Sequence, residues 1–136
     1  MDMNIRYTDE VPSPDQIYCL YDCFGWNEFL KLSKVQLHQA MVQSWSVISA
    51  YDEDALIGTG RIISDGVMNA YLCGLVVHPD YQGQGIGSEI VRQLVEKSRQ
   101  KNLHVELFCT EELTNYYEKL GFDVFAAGMK DKRRDV

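Results

Sequence analysis

Residues 78–88 read HPDYQGQGIGS, and this stretch decides the fold. Three glycines, Gly83, Gly85 and Gly87, alternate in it with larger residues. The stretch follows the apolar run YLCGLVV (71–77) and precedes the helical pattern EIVRQLVEKSRQK (89–101). Each glycine costs roughly 0.5–1 kcal/mol relative to alanine in regular structure. Three of them at one junction therefore predict that something approaches the main chain closely there.

A loop that leaves a strand and opens a helix concentrates unpaired backbone N–H groups at the positive end of the helix dipole. The sequence therefore predicts a phosphate or pyrophosphate site. The alternative is a tight turn that packs the helix on the sheet, for which one glycine would suffice. A nucleotide P-loop is excluded because no lysine follows Gly87. A dinucleotide fingerprint is excluded because Ser88 stands where its third glycine would be.

The composition predicts one domain over residues 1–136, a length typical of a single domain. Hydrophobic residues make up 46% of the chain and charged residues 24%, which is the range of globular proteins. No N-terminal apolar segment follows the start, and no run approaches the roughly 20 apolar residues of a membrane span. We expect a soluble, cytoplasmic protein without membrane contacts.

The formal net charge of −7 argues against nucleic-acid binding, which depends on Lys and Arg neutralising phosphates. It mildly favours a cationic partner such as an amine. The four cysteines, Cys19, Cys23, Cys73 and Cys109, match no zinc spacing, so we predict buried free thiols and no metal.

The periodicity predicts the order β, α, α, β, β, β, α, β, α, β. A short strand lies within 3–8, and capping boxes at Ser13/Gln16 and Ser33/Gln36 open two helices. Short turns join strands within 44–51, 55–63 and 67–77 into an antiparallel meander. A helix then runs to about residue 101, followed by a strand at 103–108, a helix from 110 to Gly121 and a last strand, FDVFA (122–126). The fold class is mixed α/β (α+β), with helices on both faces of a mostly antiparallel sheet.

The glycine stretch resembles the coenzyme-A loop of the GNAT N-acetyltransferase superfamily, whose Gln/Arg-x-x-Gly-x-Gly pattern matches residues 82–87 (QGQGIG). The segment NYYEKLGF (115–122) is similar to the closing motif of that family, and the resemblance spans roughly residues 45–127. The chain is identified on these motifs as a small, bacterial-type, single-domain member.

The resemblance implies that the strands at 67–77 and 104–108 are parallel and splay apart, and that acetyl-CoA wedges between them. Its pantetheine arm would lie against the backbone of Leu75, Val76 and Val77, and the Val77 N–H would face the thioester carbonyl. Tyr117 matches the family's general acid. Further cofactor contacts are implied for Gln82, Gly83, Gln84, Gly85, Ile86, Gly87, Ser88 and Asn115. The acceptor would be a primary amine of a small molecule or peptide, and homodimers are common in the family.

Some residues depart from the family pattern. Residues 67–77 contain no acidic side chain to act as a base, which leaves Glu106, His78 or water. Gly74, inside an apolar strand, predicts either a bulge that splits the sheet or room for a neighbouring side chain. Thr110 and Leu113 stand where the family often has asparagine and a small residue. The alternative function is a non-catalytic acetyl-CoA sensor or assembly subunit.

Acceptor specificity in this fold usually comes from the N-terminal helical region. The aromatic segment CFGWNEFLKL (23–32) is therefore a candidate for an amine pocket, with Phe24, Trp26, Glu28 and Phe29 as candidate wall residues. The alternative is a hydrophobic lid over the core.

Overall fold

The computed structural model describes residues 4–25 and 27–132. Its described strands form one five-stranded sheet in the order β1-β2-β3-β4-β5. The neighbours from β1 to β4 are antiparallel, and β5 runs parallel to β4. The predicted meander is therefore confirmed, as is the mixed sheet. The strands are β1 (Ile5–Thr8), β2 (Ser46–Asp52), β3 (Ala55–Ser64), β4 (Asn69–Val77) and β5 (His104–Leu107).

The described helices are α1 (Pro14–Phe24), α2 (Asn27–Leu30), α3 (Lys34–Val42), α4 (Ile86–Arg99) and α5 (Thr114–Glu118). The capping box at Ser33 is complete, because its hydroxyl accepts from the Gln36 N–H and the Gln36 side chain accepts from the Ser33 N–H. The box predicted at Ser13 is half formed. Its hydroxyl accepts from the Gln16 N–H at 3.3 Å, but the Gln16 side-chain amide donates to the Asp54 carbonyl.

The sheet separates two apolar layers. On one face, α4 contributes Ile86, Ile90, Val91 and Leu94 to a buried cluster with strand residues. On the other face, buried residues of α1 and α3 pack on the sheet: Ile17, Leu20, Tyr21, Leu37 and Met41. Helices therefore cover both faces, as predicted, and each cluster excludes the apolar face of its helices from water.

Two predicted elements near the C-terminal end differ from the structure. The helix expected from Thr110 begins as a 3-10 turn over Glu111–Leu113 and becomes α-helical only in α5. The strand predicted at 122–126 is absent, and those residues are irregular. Phe122 packs against the core, whereas Val124 and Phe125 are exposed. An alternating pattern forms a strand only when a neighbouring strand completes its hydrogen bonds, and no described strand pairs with this segment.

The four cysteines are free, as predicted, but the expectation that they are buried is wrong for three of them. Cys19, Cys23 and Cys109 are exposed, and Cys73 is half-buried. Cys19 and Cys23 are exposed because the buried stripe of α1 passes through Ile17, Leu20 and Tyr21.

Within the described ranges, no helix combines the length and apolar character needed to cross a membrane.

Candidate active site

The parallel strands β4 and β5 separate before β4 ends. Their pairing stops at Leu72 and Leu107, whereas β4 continues to Val77. At the end of β4, the His78 N–H donates to the Ile57 carbonyl of β3 at 2.7 Å. Because alternate residues of a strand direct their N–H groups to opposite edges, the N–H group of Val77 points away from β3. This leaves an open edge beside the last residues of β4.

The backbone of Val76 has the opposite orientation to that of Val77. Val76 is opposite Thr59 of β3, and its side chain is buried beneath α1 and α3. Its backbone N–H therefore faces β3 and not the open edge. Of the three β4 residues expected to contact a cofactor, Val77 directs its N–H to the open edge, Val76 does not, and Leu75 lies within the bulge between β3 and β4.

Gly74 lies at a register shift between β3 and β4. Arg61 pairs with Cys73 and Thr59 with Val76, so Gly60 alone is opposite Gly74 and Leu75. Gly74 has a φ of +65°, and a Cβ there would lie 3.2 Å from the Tyr21 hydroxyl and 3.3 Å from Arg61 Nε. Both alternatives drawn from the sequence therefore apply, because Gly74 forms a bulge and also makes room for two side chains.

The glycine loop leaves β4 through a 3-10 turn and enters α4. Gly83 and Gly85 have φ values of +77° and +82°, and a Cβ at either would meet no atom of the described residues within 4 Å. No side chain in the described part of the chain caps α4. No acceptor among the described residues receives a well-formed hydrogen bond from the N–H groups of residues 83–88. These donors are therefore available, and the positive end of the helix dipole lies beside them.

Two side chains at the start of this loop form hydrogen bonds that hold it in place. The Gln82 side-chain amide donates to the Val77 carbonyl at 3.1 Å. The Tyr81 hydroxyl donates to the Asp52 carboxylate at 2.6 Å. Ile86 is buried, so only its backbone is available to a ligand.

Tyr117 lies on the wall of a cavity of about 420 Å³ at the point where β4 and β5 diverge. Its ring is half-buried, and burial, followed by the charges of Tyr116 and Cys109, raises the pKa of its hydroxyl. The raised pKa makes the Tyr117 hydroxyl a weaker acid than an exposed tyrosine and leaves it protonated at neutral pH. Asn115, in the first turn of α5, is exposed and lines neither this cavity nor the groove beside α4.

The walls of this cavity come from six strands and helices (α1, α3, β3, β4, β5 and α5) and from loops near them. Arg61 is the only charged side chain among the described residues that line it. The others are apolar, aromatic or thiol-bearing: Tyr21, Leu32, Leu37, Ala40, Met41, Ile63, Tyr71, Leu72, Cys73, Leu75, Leu107, Phe108, Cys109, Leu113 and Tyr117. Gly74 completes the wall.

Neither of the two side chains considered as a base lines this cavity. Glu106 is half-buried on β5 and accepts from the Asn69 side-chain amide at 3.0 Å. His78 caps the 3-10 turn, because its Nδ1 accepts from the Asp80 N–H at 3.1 Å.

Sequence reasoning missed Arg61 and Tyr21. The available signal was the single charged residue within the apolar strand ALIGTGRII (55–63). Of the aromatic segment proposed from the sequence, Trp26 lies outside the described residues, and so do the side chains of Phe24 and Phe29. Leu32, at the end of that segment, does line the cavity.

A mixed sheet that opens beside an uncapped glycine loop agrees with comparisons with known proteins. The model of the Acetyltransferase (GNAT) family matches residues 7–122. An uncharacterized N-acetyltransferase, ycf52, from Gracilaria tenuistipitata var. liui is 32% identical over 113 residues, which are 82% of this chain and 62% of that protein. The chain thus spans less than two thirds of that relative.

Solved structures share the fold. A GNAT family acetyltransferase from Streptococcus pneumoniae TIGR4 superposes with a TM-score of 0.76 at 25% identity, covering 98% of this chain and 100% of the other. PaiA N-acetyltransferase from Thermoplasma acidophilum, in complex with coenzyme A, has a TM-score of 0.73 at 18% identity, covering 93% and 94%. The chain belongs to the GNAT acetyltransferase family.

Proposed function

We propose that this protein is an acetyl-CoA-dependent N-acetyltransferase that acts on a primary amine of a small molecule or peptide. One observation carries the proposal: the unpaired N–H groups of residues 83–88 lie at the start of α4, beside the open edge of β4. A diphosphate on the loop and an extended pantetheine arm along β4 would use both features. Coenzyme A has both groups, and the neighbouring PaiA structure contains it.

We expect catalysis without a metal ion, and this remains a prediction. The amine nitrogen attacks the thioester carbonyl carbon, the C–S bond breaks, and coenzyme A leaves as the thiolate. The Val77 N–H, directed to the open edge, is suited to stabilise the oxyanion that forms. A preorganised donor of this kind lowers the activation barrier by about 3 kcal/mol.

We assign proton donation to the thiolate to Tyr117. Its pKa, raised by burial, exceeds the ordinary value of about 8.5 for a thiol, so complete transfer is uphill. A hydrogen bond that strengthens as the C–S bond breaks avoids most of that cost. For the amine proton, we propose water as the acceptor. No carboxylate or imidazole lines the cavity in the described part of the chain.

The test measures free-thiol release from acetyl-CoA across a panel of primary amines, with Tyr117→Phe as the matched variant. The proposal expects amine-dependent thiol release that Tyr117→Phe slows without weakening coenzyme-A binding. Coenzyme-A binding with no thiol release from any amine would instead support the non-catalytic sensor or assembly subunit. Absence of coenzyme-A binding would overturn both.

The cytoplasmic location, the single-domain extent over residues 1–136 and the homodimer remain predictions. Size-exclusion chromatography with light scattering tests the last of these. The contacts expected of Asn115 also remain a prediction. They are tested by the coenzyme-A affinity of Asn115→Ala.

A further inference from the structure

Arg61 lies on the wall of the cavity and has no carboxylate partner in the described part of the chain. Its side chain is half-buried, and no carboxylate among the described residues lies within ion-pair distance of it. Its Nη1 donates to the Ser44 hydroxyl at 3.3 Å, and its guanidinium also bonds the Tyr21 hydroxyl. A guanidinium has five N–H donors, more than these two hydroxyl groups can accept.

The position of Arg61 is fixed by the bulge in β4. Gly74 brings the strand so close that a Cβ there would lie 3.3 Å from Arg61 Nε. The guanidinium thus lies against β4 on the face covered by α1 and α3, opposite the face that packs on α4. Arg61 and Tyr117 line the same cavity. An acceptor amine placed beside Tyr117 therefore shares that cavity with the guanidinium.

A partly buried cation is stabilised by an anion, and a planar guanidinium binds a carboxylate with two parallel hydrogen bonds. We propose that the acceptor is an amine that also carries a carboxylate, and that Arg61, held by Tyr21, is the residue that selects it. This inference rests on the proposed function, since it names the acceptor class of the same site. It reverses the expectation from the net charge, which favours a cationic partner.

The same charge helps the chemistry. A cation close to a bound ammonium group disfavours its charged form. The neutral, nucleophilic amine is then more populated in the cavity than in water. This matters because, among the described residues that line the cavity, there is no carboxylate or imidazole to accept the proton.

The experiment compares amines that differ in the carboxylate alone. γ-Aminobutyrate is paired with butylamine and β-alanine with propylamine, and putrescine supplies a dication. We expect kcat/KM to be about 10- to 100-fold higher for each carboxylate-bearing amine than for its partner, as for a hydrogen bond to a charged group. Arg61→Met should abolish this preference by raising the acceptor KM, while the KM for acetyl-CoA stays unchanged.

The control is Arg6→Met, which removes one positive charge from an exposed side chain that stacks on Tyr51. It should keep the preference. Arg61→Lys retains the charge but not the paired donors, and it should keep only part of the preference. If putrescine or butylamine had the highest kcat/KM of the panel, the inference would be overturned, but the acetyltransferase proposal would stand. Equal loss of kcat with every amine in Arg61→Met would also overturn it.

Binding is measured separately, so that the result does not depend on turnover. Ligand-observed NMR of the coenzyme-A complex compares γ-aminobutyrate with butylamine on the wild type and on Arg61→Met. Preferential binding of γ-aminobutyrate that is lost in Arg61→Met supports the inference even if no thiol is released. Equal binding of both amines to the wild type contradicts it.

Discussion

Tyr116 and Tyr117 are adjacent in α5, but their hydroxyls serve two different surfaces. The Tyr116 hydroxyl lies 3.1 Å from Ser88 Oγ in the first turn of α4. Tyr117 lies on the wall of the cavity beside β4. The two rings are nearly perpendicular, at 82°, with centroids 5.0 Å apart. One tyrosine therefore contacts the helix that follows the glycine loop, and the other lines the cavity.

This division predicts opposite kinetic effects for two conservative variants. Tyr117→Phe should lower kcat by roughly 10²–10⁴ with little change in the KM for acetyl-CoA, because it removes a proton donor. Tyr116→Phe should raise the KM for acetyl-CoA with a small effect on kcat, because it loosens Ser88. Steady-state kinetics with both substrates varied separates the two. A Tyr117→Phe variant with near-wild-type turnover would remove Tyr117 from the mechanism.

The raised pKa of the Tyr21 hydroxyl predicts a loss of folding stability at alkaline pH. Burial raises the pKa of its hydroxyl from 10.0 to about 12, against a smaller opposing effect of Arg61. The folded state thus holds this proton more tightly than the unfolded chain. The protonated Tyr21 hydroxyl makes its full contribution to the free energy of unfolding below pH 10 and loses it as the pH rises through 12. The total loss is at most roughly 3 kcal/mol.

The measurement is urea unfolding at pH 8, 10 and 11 for the wild type and Tyr21→Phe. The free energy of unfolding of the wild type should fall more steeply above pH 10 than that of the variant. The comparison is needed because other tyrosines with raised pKa values, such as Tyr71, titrate in the same range. Identical slopes would show that Tyr21 is not the group responsible.

Gly85 and Gly25 form a matched pair for testing the loop. Gly85 has φ +82° and ψ 5°, and Gly25, at the end of α1, has φ +75° and ψ 5°. Alanine at either position should cost about 1–2 kcal/mol of stability through the left-handed backbone. Only Gly85→Ala should also weaken coenzyme-A binding, by about tenfold or more. Calorimetric titration checks this, and equal affinities in the two variants would contradict a phosphate site at the loop.

Gly74→Ala tests the bulge. Its Cβ would lie 3.2 Å from the Tyr21 hydroxyl and 3.3 Å from Arg61 Nε, on a backbone that already disfavours a side chain. We expect the free energy of unfolding to fall by about 1–3 kcal/mol and the acceptor KM to rise. Thermal unfolding and acceptor kinetics measure the two effects. An unchanged Tm would mean that the strand relaxes without strain.

The sequence predicts most of the strands and helices because their signals are local. Ser33 with Gln36 forms its capping box in the structure, and the apolar stripe of α4 is buried where periodicity indicates. The meander follows from short turns between alternating strands. The last strand does not form because FDVFA has the right pattern but no described strand pairs with it, and pairing is a property of the whole sheet.

The site is less accessible to sequence reasoning. The glycine pattern and NYYEKLGF indicate a loop and a tyrosine, but they do not show which neighbours complete the cavity. Arg61 and Tyr21 meet there because Gly74 shifts the register between β3 and β4, and that contact joins three separate segments. The direction of the Val76 backbone N–H toward β3 likewise depends on how β3 and β4 are paired. The amino-acid composition of β4 does not specify that pairing.

The crystal structure of the protein with coenzyme A bound tests the central claim most directly. The account predicts that both phosphates of the pyrophosphate accept hydrogen bonds from backbone N–H groups within residues 83–88, at about 2.7–3.2 Å. It also predicts the pantetheine arm along the open edge at Leu75 and Val77. A complex in which those N–H groups are bonded within the protein, with the pyrophosphate elsewhere, would contradict it.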